Sequence, residues 1–381
     1  MEVKFDEITK KIQEEYEELK ANVEKPNILI TGGTGVGKSS LINTVFGKDW
    51  AATGVGRSVT KNTQAYEDED LSLVLFDTKG YEIGSEEQKN YLKEIVEYAI
   101  LNRSIPEKSI HLVWYCIQAT SARFLDFDER IIKTLKDNNI PVAVVFTKCD
   151  LVSRDDLDML RSTVHNSLPE VQTYETTIDS SLNYLELNSL IDWSLINLPS
   201  ALELAFISAQ KINLNIKKKK AKNIIIQHTS GAGFVGLTPV PFSDAPVLLA
   251  NQATLFARII YVYEMNFLYK RLKEFAIGIG LPGLVTKGGV WVAGQLLKFF
   301  PGIGTYAGGL ITGGVAASIT AGIGFGLSET CYRINQKVLD GEIEDVEQFI
   351  NNIDDEFIDI IKGAVIKETQ KFMDKEKEEN N

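Results

Sequence analysis

The chain has 381 residues and a formal net charge of −12. That length exceeds one small core, so two domains are expected. The charge argues against a nucleic-acid binder that works by phosphate neutralisation, and no nucleic-acid partner is expected. Cys116, Cys149 and Cys331 are far apart and odd in number, which fits a reducing compartment rather than a disulfide framework. His111, His165 and His228 stand alone, without metal-ligand spacing. The acidic start, Met1-Glu2-Val3-Lys4-Phe5-Asp6, has no signal-peptide character, so a cytoplasmic location is expected.

In chain order, Phe5, Ile8, Ile12, Tyr16, Leu19 and Val23 recur at steps of three and four, one face of an amphipathic helix expected to dock on the first domain. Lys25-Pro26 stops it. Asn27 to Thr31 reads as a buried strand, and Ser40 to Phe46 as a helix ended by Gly47. Between them lies Gly32-Gly33-Thr34-Gly35-Val36-Gly37-Lys38-Ser39, followed by Ser40. A strand, a glycine turn and a helix in that order are the context of a phosphate-binding P-loop. Gly32 and Gly37 allow positive φ, so successive N–H groups can point at an anion near the positive end of the helix dipole. Lys38 can reach the β- and γ-phosphates, and the Ser39 hydroxyl can ligate Mg²⁺.

The loop Gly54 to Thr63 is placed where a first switch belongs, with Thr60 the candidate to close over Mg²⁺ and the γ-phosphate, and Thr63 the fallback. The strand Leu71 to Phe76 ends in Asp77-Thr78-Lys79-Gly80. Asp77 fits a Walker B ligand of Mg²⁺, and the Gly80 amide can meet the γ-phosphate. Tyr81 stands where Ras-like enzymes carry the glutamine that orients water. Slow intrinsic hydrolysis is therefore expected, completed by a partner, by a second copy in a homodimer through this domain, or by a rearranged loop. Switch two is placed from Lys79 to about Glu87, with Ser85 and Gln88 as the capping box of the next helix.

Further on come a strand Ile110 to Ile117, a helix capped by Asp126 and Glu129, and an apolar strand Pro141 to Phe146. The last ends in Thr147-Lys148-Cys149-Asp150. The Asp150 carboxylate can accept from N1–H and the 2-amino group of guanine, which adenine does not offer. Lys148 is placed over the base. Thr147 replaces the commoner asparagine, so a bridging hydrogen bond is expected to be weaker. The fifth base-binding loop falls at Thr176-Thr177, after a helix Arg154 to Ser167 and a strand Val171 to Thr176. Ser208-Ala209 matches the usual pair but lies in a helical run. Leu187 to Asn197 closes the domain, and one helix is expected from Pro199 to about Gln227, with its lysine run as a solvated face.

Residues 229–263 and 276–328 are rich in Gly, Ala and branched aliphatics, and 299–328 carry no charge. Two readings stay open: a tightly packed helical core, or membrane contact through residues 229–328 together with Lys217 to Lys222 at the inner face of a membrane. The tail from Asp340 returns to a charged amphipathic helix that frays into Lys, Glu and Asn.

With these motifs in order, the first 200 residues resemble the Era/TrmE-like branch of translation-factor-class GTPases. Thr238 to Leu249 and Pro301 to Leu310 resemble the YcjF-type helical domain. The resemblance implies GTP and GDP as ligands with Mg²⁺, hydrolysis to GDP and phosphate, and a switch acting on the helical domain, or else a membrane-associated, self-assembling dynamin-like or scaffold GTPase. Potassium-activated members carry asparagine where Gly35 stands, and Era's RNA-binding domain has no counterpart here. The expected architecture is an α/β P-loop domain with a mostly parallel sheet, followed by an all-helical C-terminal domain. Its segments are a helix at 1–24, the nucleotide domain at 25–198, a helical domain at 199–340 and a charged helix and tail at 341–381.

Overall fold

The apolar run before the glycines forms β1 (Asn27–Gly32), and all six of its residues are buried in the computed structural model. The structure describes residues 5–47, 56–58, 63–66, 73–78, 85–106, 108–230, 245–265, 268, 313–343, 345–351 and 355–379. The chain folds as two units, Val23–Asn213 and a second made of Met1–Asn22 with Leu214–Asn381. The first unit thus reaches to Asn213 rather than to 198.

In the first unit β1 is central because a strand of Ile and Leu on both faces needs cover on both. The sheet also contains β2 (Gly56–Ser58), β3 (Thr63–Tyr66), β4 (Val74–Thr78), β5 (Leu112–Gln118), β6 (Val142–Thr147) and β7 (Gln172–Glu175), in the order β2-β3-β4-β1-β5-β6-β7. β4, β1, β5, β6 and β7 run parallel, while β2 and β3 extend the β4 edge antiparallel. Because the chain leaves β1 for β4 on one side and later takes up β5 on the other, the C-terminal end of β1 opens into a crevice, the usual ligand position in open α/β sheets.

Alternation along β5 splits the core. Val113, Tyr115 and Ile117 join one buried cluster, which includes Ile131, Ile132 and Leu135 from α4 (Asp126–Asp137) and Leu157, Leu160 and Val164 from α5 (Arg154–Ser167). Trp114 points the other way. It stacks on Phe46 of α2 (Lys38–Phe46) at 5.9 Å and 10°, and its indole N–H donates to Ser194 Oγ of α6 (Leu187–Asn197) at 3.0 Å. Such a stack adds about 1 kcal/mol beyond burial. α4 is capped by Asp128, whose Oδ2 accepts from Leu125 N at 2.9 Å, so the expected pair Asp126 and Glu129 is replaced by a carboxylate inside the first turn. The side chains of Ser85 and Gln88, at the start of α3 (Ser85–Leu101), lie outside the described residues.

The single helix expected from Pro199 is broken into α7 (Ser200–Ala209) and α8 (Leu214–Thr229). Buried Gln210 explains the break. Its Oε1 accepts from Asn213 N at 2.7 Å and its Nε2 donates to Asn213 O at 3.1 Å. The side chain thus satisfies the backbone that a continuous helix would have satisfied itself.

The second unit holds α1 (Phe5–Asn22), α8, α9 (Ala245–Tyr263), α10 (Gly313–Leu339), α11 (Val346–Asn351) and α12 (Asp355–Glu379). The N-terminal helix, expected with the first domain, belongs to the helical unit. α1 packs on α9, with Tyr16 and Tyr261 6.1 Å apart and Thr254 Oγ1 donating to Glu15 Oε2 at 2.8 Å. The tail, expected to fray after one helix, holds two, and the second stays helical to Glu379. The lysine run is not wholly solvated either. Lys217 is fully buried, and its ammonium donates to Val262 O at 2.9 Å, at the C-terminal end of α9 where a cation complements the helix dipole.

Among the described residues no helix is long and apolar enough to cross a membrane. Of the charge-free stretch, residues 313–328 begin α10, and the remainder lies outside the described residues. The glycines of α10 have a packing role. A Cβ on Gly326 would sit 2.6 Å from Ile361 Cα, and one on Gly324 would meet Ile225 of α8 at 3.0 Å. Gly322 and Gly326 face the backbone of α12, one turn apart, which is how small residues let helices close. Gly326→Val should therefore destabilise the helical unit by about 1–3 kcal/mol, whereas Gly363→Ala, into open space on α12, should be neutral or stabilise by up to about 1 kcal/mol. Chemical denaturation of the two variants and the parent checks the contrast.

Candidate nucleotide site

The loop between β1 and α2 depends on glycine at three points. Gly32, Gly35 and Gly37 have φ of 139°, 73° and 100°, values at which a side chain is strained. Gly32 is also held against Cys116 O so closely that a Cβ has no room. Gly37 occupies the N-cap of α2, and no side-chain cap bond is made there. The first-turn amides thus face the crevice, with the helix dipole behind them. Lys38 is buried and its Nζ donates to Gly32 O at 3.2 Å and Gly33 O at 2.9 Å, so its ammonium lies along the loop it is expected to serve. Thr34, Ser39 and Ser40 are exposed, and Gly33 and Val36 are half-buried.

The turn after β6 closes on this loop. Thr147 Oγ1 donates to Val36 O and weakly to Ile117 O at 3.4 Å. The bridge expected to suffer from threonine in place of asparagine is made by the hydroxyl. Lys148, at φ 57°, sends Nζ to Gly35 O and to Gln118 Oε1, both at 2.9 Å. Cys149 is buried, which raises its thiol to about 12, so it stays protonated and takes no part in charge. Asp150 Oδ1 accepts from Thr177 Oγ1 at 2.6 Å, and Thr177 Oγ1 also accepts from Asp179 N at 3.1 Å. Thr176, almost fully buried, closes onto Phe146 O through its N–H at 2.7 Å and its hydroxyl at 2.8 Å. The structure therefore brings Thr176-Thr177 beside Asp150, while Ser208 and Ala209 are buried within α7.

Sequence reasoning missed the parts that hold these loops. Tyr91 of α3 is buried beneath the phosphate loop. Its hydroxyl lies 2.5 Å from Thr31 Oγ1 and accepts from Gly32 N at 3.4 Å. The fifth loop is tied down by buried Glu175, paired with Arg154 at 2.6 Å and Arg161 at 2.9 Å, and Arg161 also meets Glu186 at 2.6 Å. Asn183, Tyr184 and Leu185 follow with φ near 55°. Three successive non-glycine residues in that region cost about 1–2 kcal/mol each, and such strain gathers where a loop is held for function. The only advance signal was the spacing of Arg154 and Arg161, two turns apart on one helix.

Asp77 pairs in register with Ile30, which puts its backbone at the C-terminal end of β4, beside the start of the phosphate loop. The side chain of Asp77, and Thr60, Gly80 and Tyr81, lie outside the described residues.

A parallel sheet with a glycine-lined loop at its crevice, and the turn after β6 bonded to that loop, defines a P-loop nucleotide-binding fold. A family model described as 50S ribosome-binding GTPase matches residues 27–148. The chain is similar to GTPase Der of Sulfurimonas denitrificans, 28% identical over 38% of this chain and 28% of Der. It is similar also to GTPase Era of Caldicellulosiruptor saccharolyticus, 25% identical over 35% of this chain and 43% of Era. With the probable GTP-binding protein EngB of Wolbachia sp. subsp. Brugia malayi it shares 32% identity over 36% of this chain and 70% of EngB. The chain belongs to the P-loop GTPases of the Era, Der and EngB type. It spans less than half the length of the Der and Era relatives. Among similar solved structures is Era in complex with MgGDPNP and nucleotides 1506-1542 of 16S ribosomal RNA, 20% identical over 47% of this chain and 58% of that one, TM-score 0.32.

Thr147→Val keeps shape but removes the hydroxyl that joins the two loops. Guanine-nucleotide affinity should fall about tenfold, the worth of one hydrogen bond, while the unfolding midpoint stays near the parent's. Calorimetry and thermal melts on the same samples check this.

Proposed function

We propose that this protein binds GTP and GDP with Mg²⁺, hydrolyses GTP to GDP and phosphate, and uses the cycle as a switch on its helical unit. The observation that carries the reading is the junction of the two loops: Lys148 and Thr147 bond to the carbonyls of Gly35 and Val36, so whatever reads the base is fixed to whatever holds the phosphates. In this reading residues 32–40 wrap the phosphates and Lys38 leaves its loop carbonyls to meet the β- and γ-oxygens. Asp150, held by Thr177, accepts from guanine N1–H and the 2-amino group, and Thr176 and Thr177 border the base.

The metal expected of this family needs hard oxygen donors. Ser39, exposed at the head of α2, and Asp77, whose strand register places it beside the loop, are of that kind, and Thr60 is the third proposed ligand. Bound Mg²⁺ would neutralise charge on the phosphates. Tyr81 has no amide to orient water, so we infer slow hydrolysis in the isolated chain, raised by self-association or a partner. The likeness of the helical unit to the YcjF type remains part of this proposal.

Lys38→Ala should abolish detectable heat with GTP or GDP, and Asp150→Asn should weaken GTP about a hundredfold, a few kcal/mol, without improving ATP. Parent-like affinity in either variant rejects the site. Turnover per molecule should rise with protein concentration, and a flat dependence rejects the self-association clause.

A further inference from the structure

The helical unit contains a cleft of about 580 Å³ between α8, α10 and α12. Helical spacing makes it: Lys218 and Lys222 stand one turn apart on α8, Glu329 and Arg333 on α10, and Lys367 and Lys371 on α12. Three helices distant in sequence thus bring six cations, those five and Lys219, to one hollow. Only two carboxylates, Glu329 and Glu368, share it, in a chain whose net charge is −12.

Both carboxylates are already engaged. Glu329 accepts from Lys218 Nζ at 2.8 Å and from Arg333 Nε at 3.0 Å, and Glu368 from Lys371 Nζ at 2.6 Å. Burial alone would raise the Glu329 carboxyl, yet the bonds from Lys218 and Arg333 bring it below its ordinary value, as a strongly positive setting requires. Lys219, Lys222 and Lys367 have no carboxylate within ion-pair distance among the described residues. The half-buried side chains of Phe325, Ile360 and Ala364 border the cations, and such low-dielectric walls concentrate their field. A lysine run on one helix is a solvated face. Convergence of exposed lysines from two helices over an apolar floor makes a hollow whose field attracts an anion.

We propose that this cleft binds a phosphate-bearing anion, with Lys219, Lys222 and Lys367 as its counter-charges. The oxyanion can belong to a soluble polyphosphate or to an acidic phospholipid headgroup, and the chemistry of recognition is shared. The site stands apart from the nucleotide reading, since every residue in it belongs to the helical unit.

The test uses the full chain saturated with Mg-GDP, the heat of GDP binding being recorded first, so that loss of the nucleotide reading is seen separately. One arm titrates inorganic pyrophosphate by calorimetry. The other floats the protein with phosphatidylcholine vesicles, with and without phosphatidylglycerol. Lys219→Gln, Lys222→Gln and Lys367→Gln together should weaken binding about a hundredfold, on the order of fivefold per lysine, and Lys222→Gln alone about fivefold. Lys10→Gln, Lys93→Gln and Lys133→Gln, which remove equal charge from exposed positions elsewhere, should bind like the parent. Pyrophosphate binding that the cleft variant loses assigns a soluble ligand, and flotation only with phosphatidylglycerol that it loses assigns a lipid. If the parent binds neither probe, or the two triple variants behave alike, the proposal is overturned.

Discussion

The hydroxyl of Thr147 bonded to the carbonyl of Val36 is the contact on which the nucleotide unit turns. The two residues are 111 positions apart, yet each belongs to a loop that has little to hold it alone. The phosphate loop is mostly glycine, and its positive-φ turns are chosen from many that glycine allows. Fixing them needs bonds from outside. Thr147 and Lys148 supply them from above, and Tyr91 supplies another from below at Gly32. Removing the Thr147 hydroxyl takes a partner from Val36 O, and the loss falls on how the two loops are held for a ligand rather than on the fold.

The sheet unit was legible because its signals are local. Gly47 ends α2 in the left-handed region with φ 76°, as a glycine after a helix implies, and α5 and α6 occupy the residues their periodicity marks. The turn after β6 was legible for the same reason, and counting the elements between placed Thr176-Thr177 beside Asp150. What escaped was tertiary. Tyr91 is one aromatic among many until α3 is laid under the loop, and Glu175 looks like a strand-end carboxylate until Arg154 and Arg161 meet it. The helix break at Gln210 was hidden because glutamine is a good helix former, and only burial turns its amide toward Asn213.

The helical unit spends its small residues differently from what charge-free composition suggests. In the described part of α10, Gly322 and Gly326 bring the α12 backbone close, and Gly324 makes room for the side chains of Ile225 and Leu255. Close approach on alternate faces also crowds the long side chains at the helix borders. The exposed lysines of α8 and α12 line one hollow beside α10. Tight packing and concentrated charge share one cause there.

α1 packs on α9, with a bond spanning 239 positions. In a growing chain, α1 emerges well before α9, and its Ile12 and Tyr16 face waits for that cover. At about 5–20 residues per second that wait lasts roughly 10–50 s. The nucleotide unit, complete in itself, has time to mature during that interval. The sheet unit, which lies between α1 and α9 in the sequence, thus emerges in full before α1 can be covered by α9.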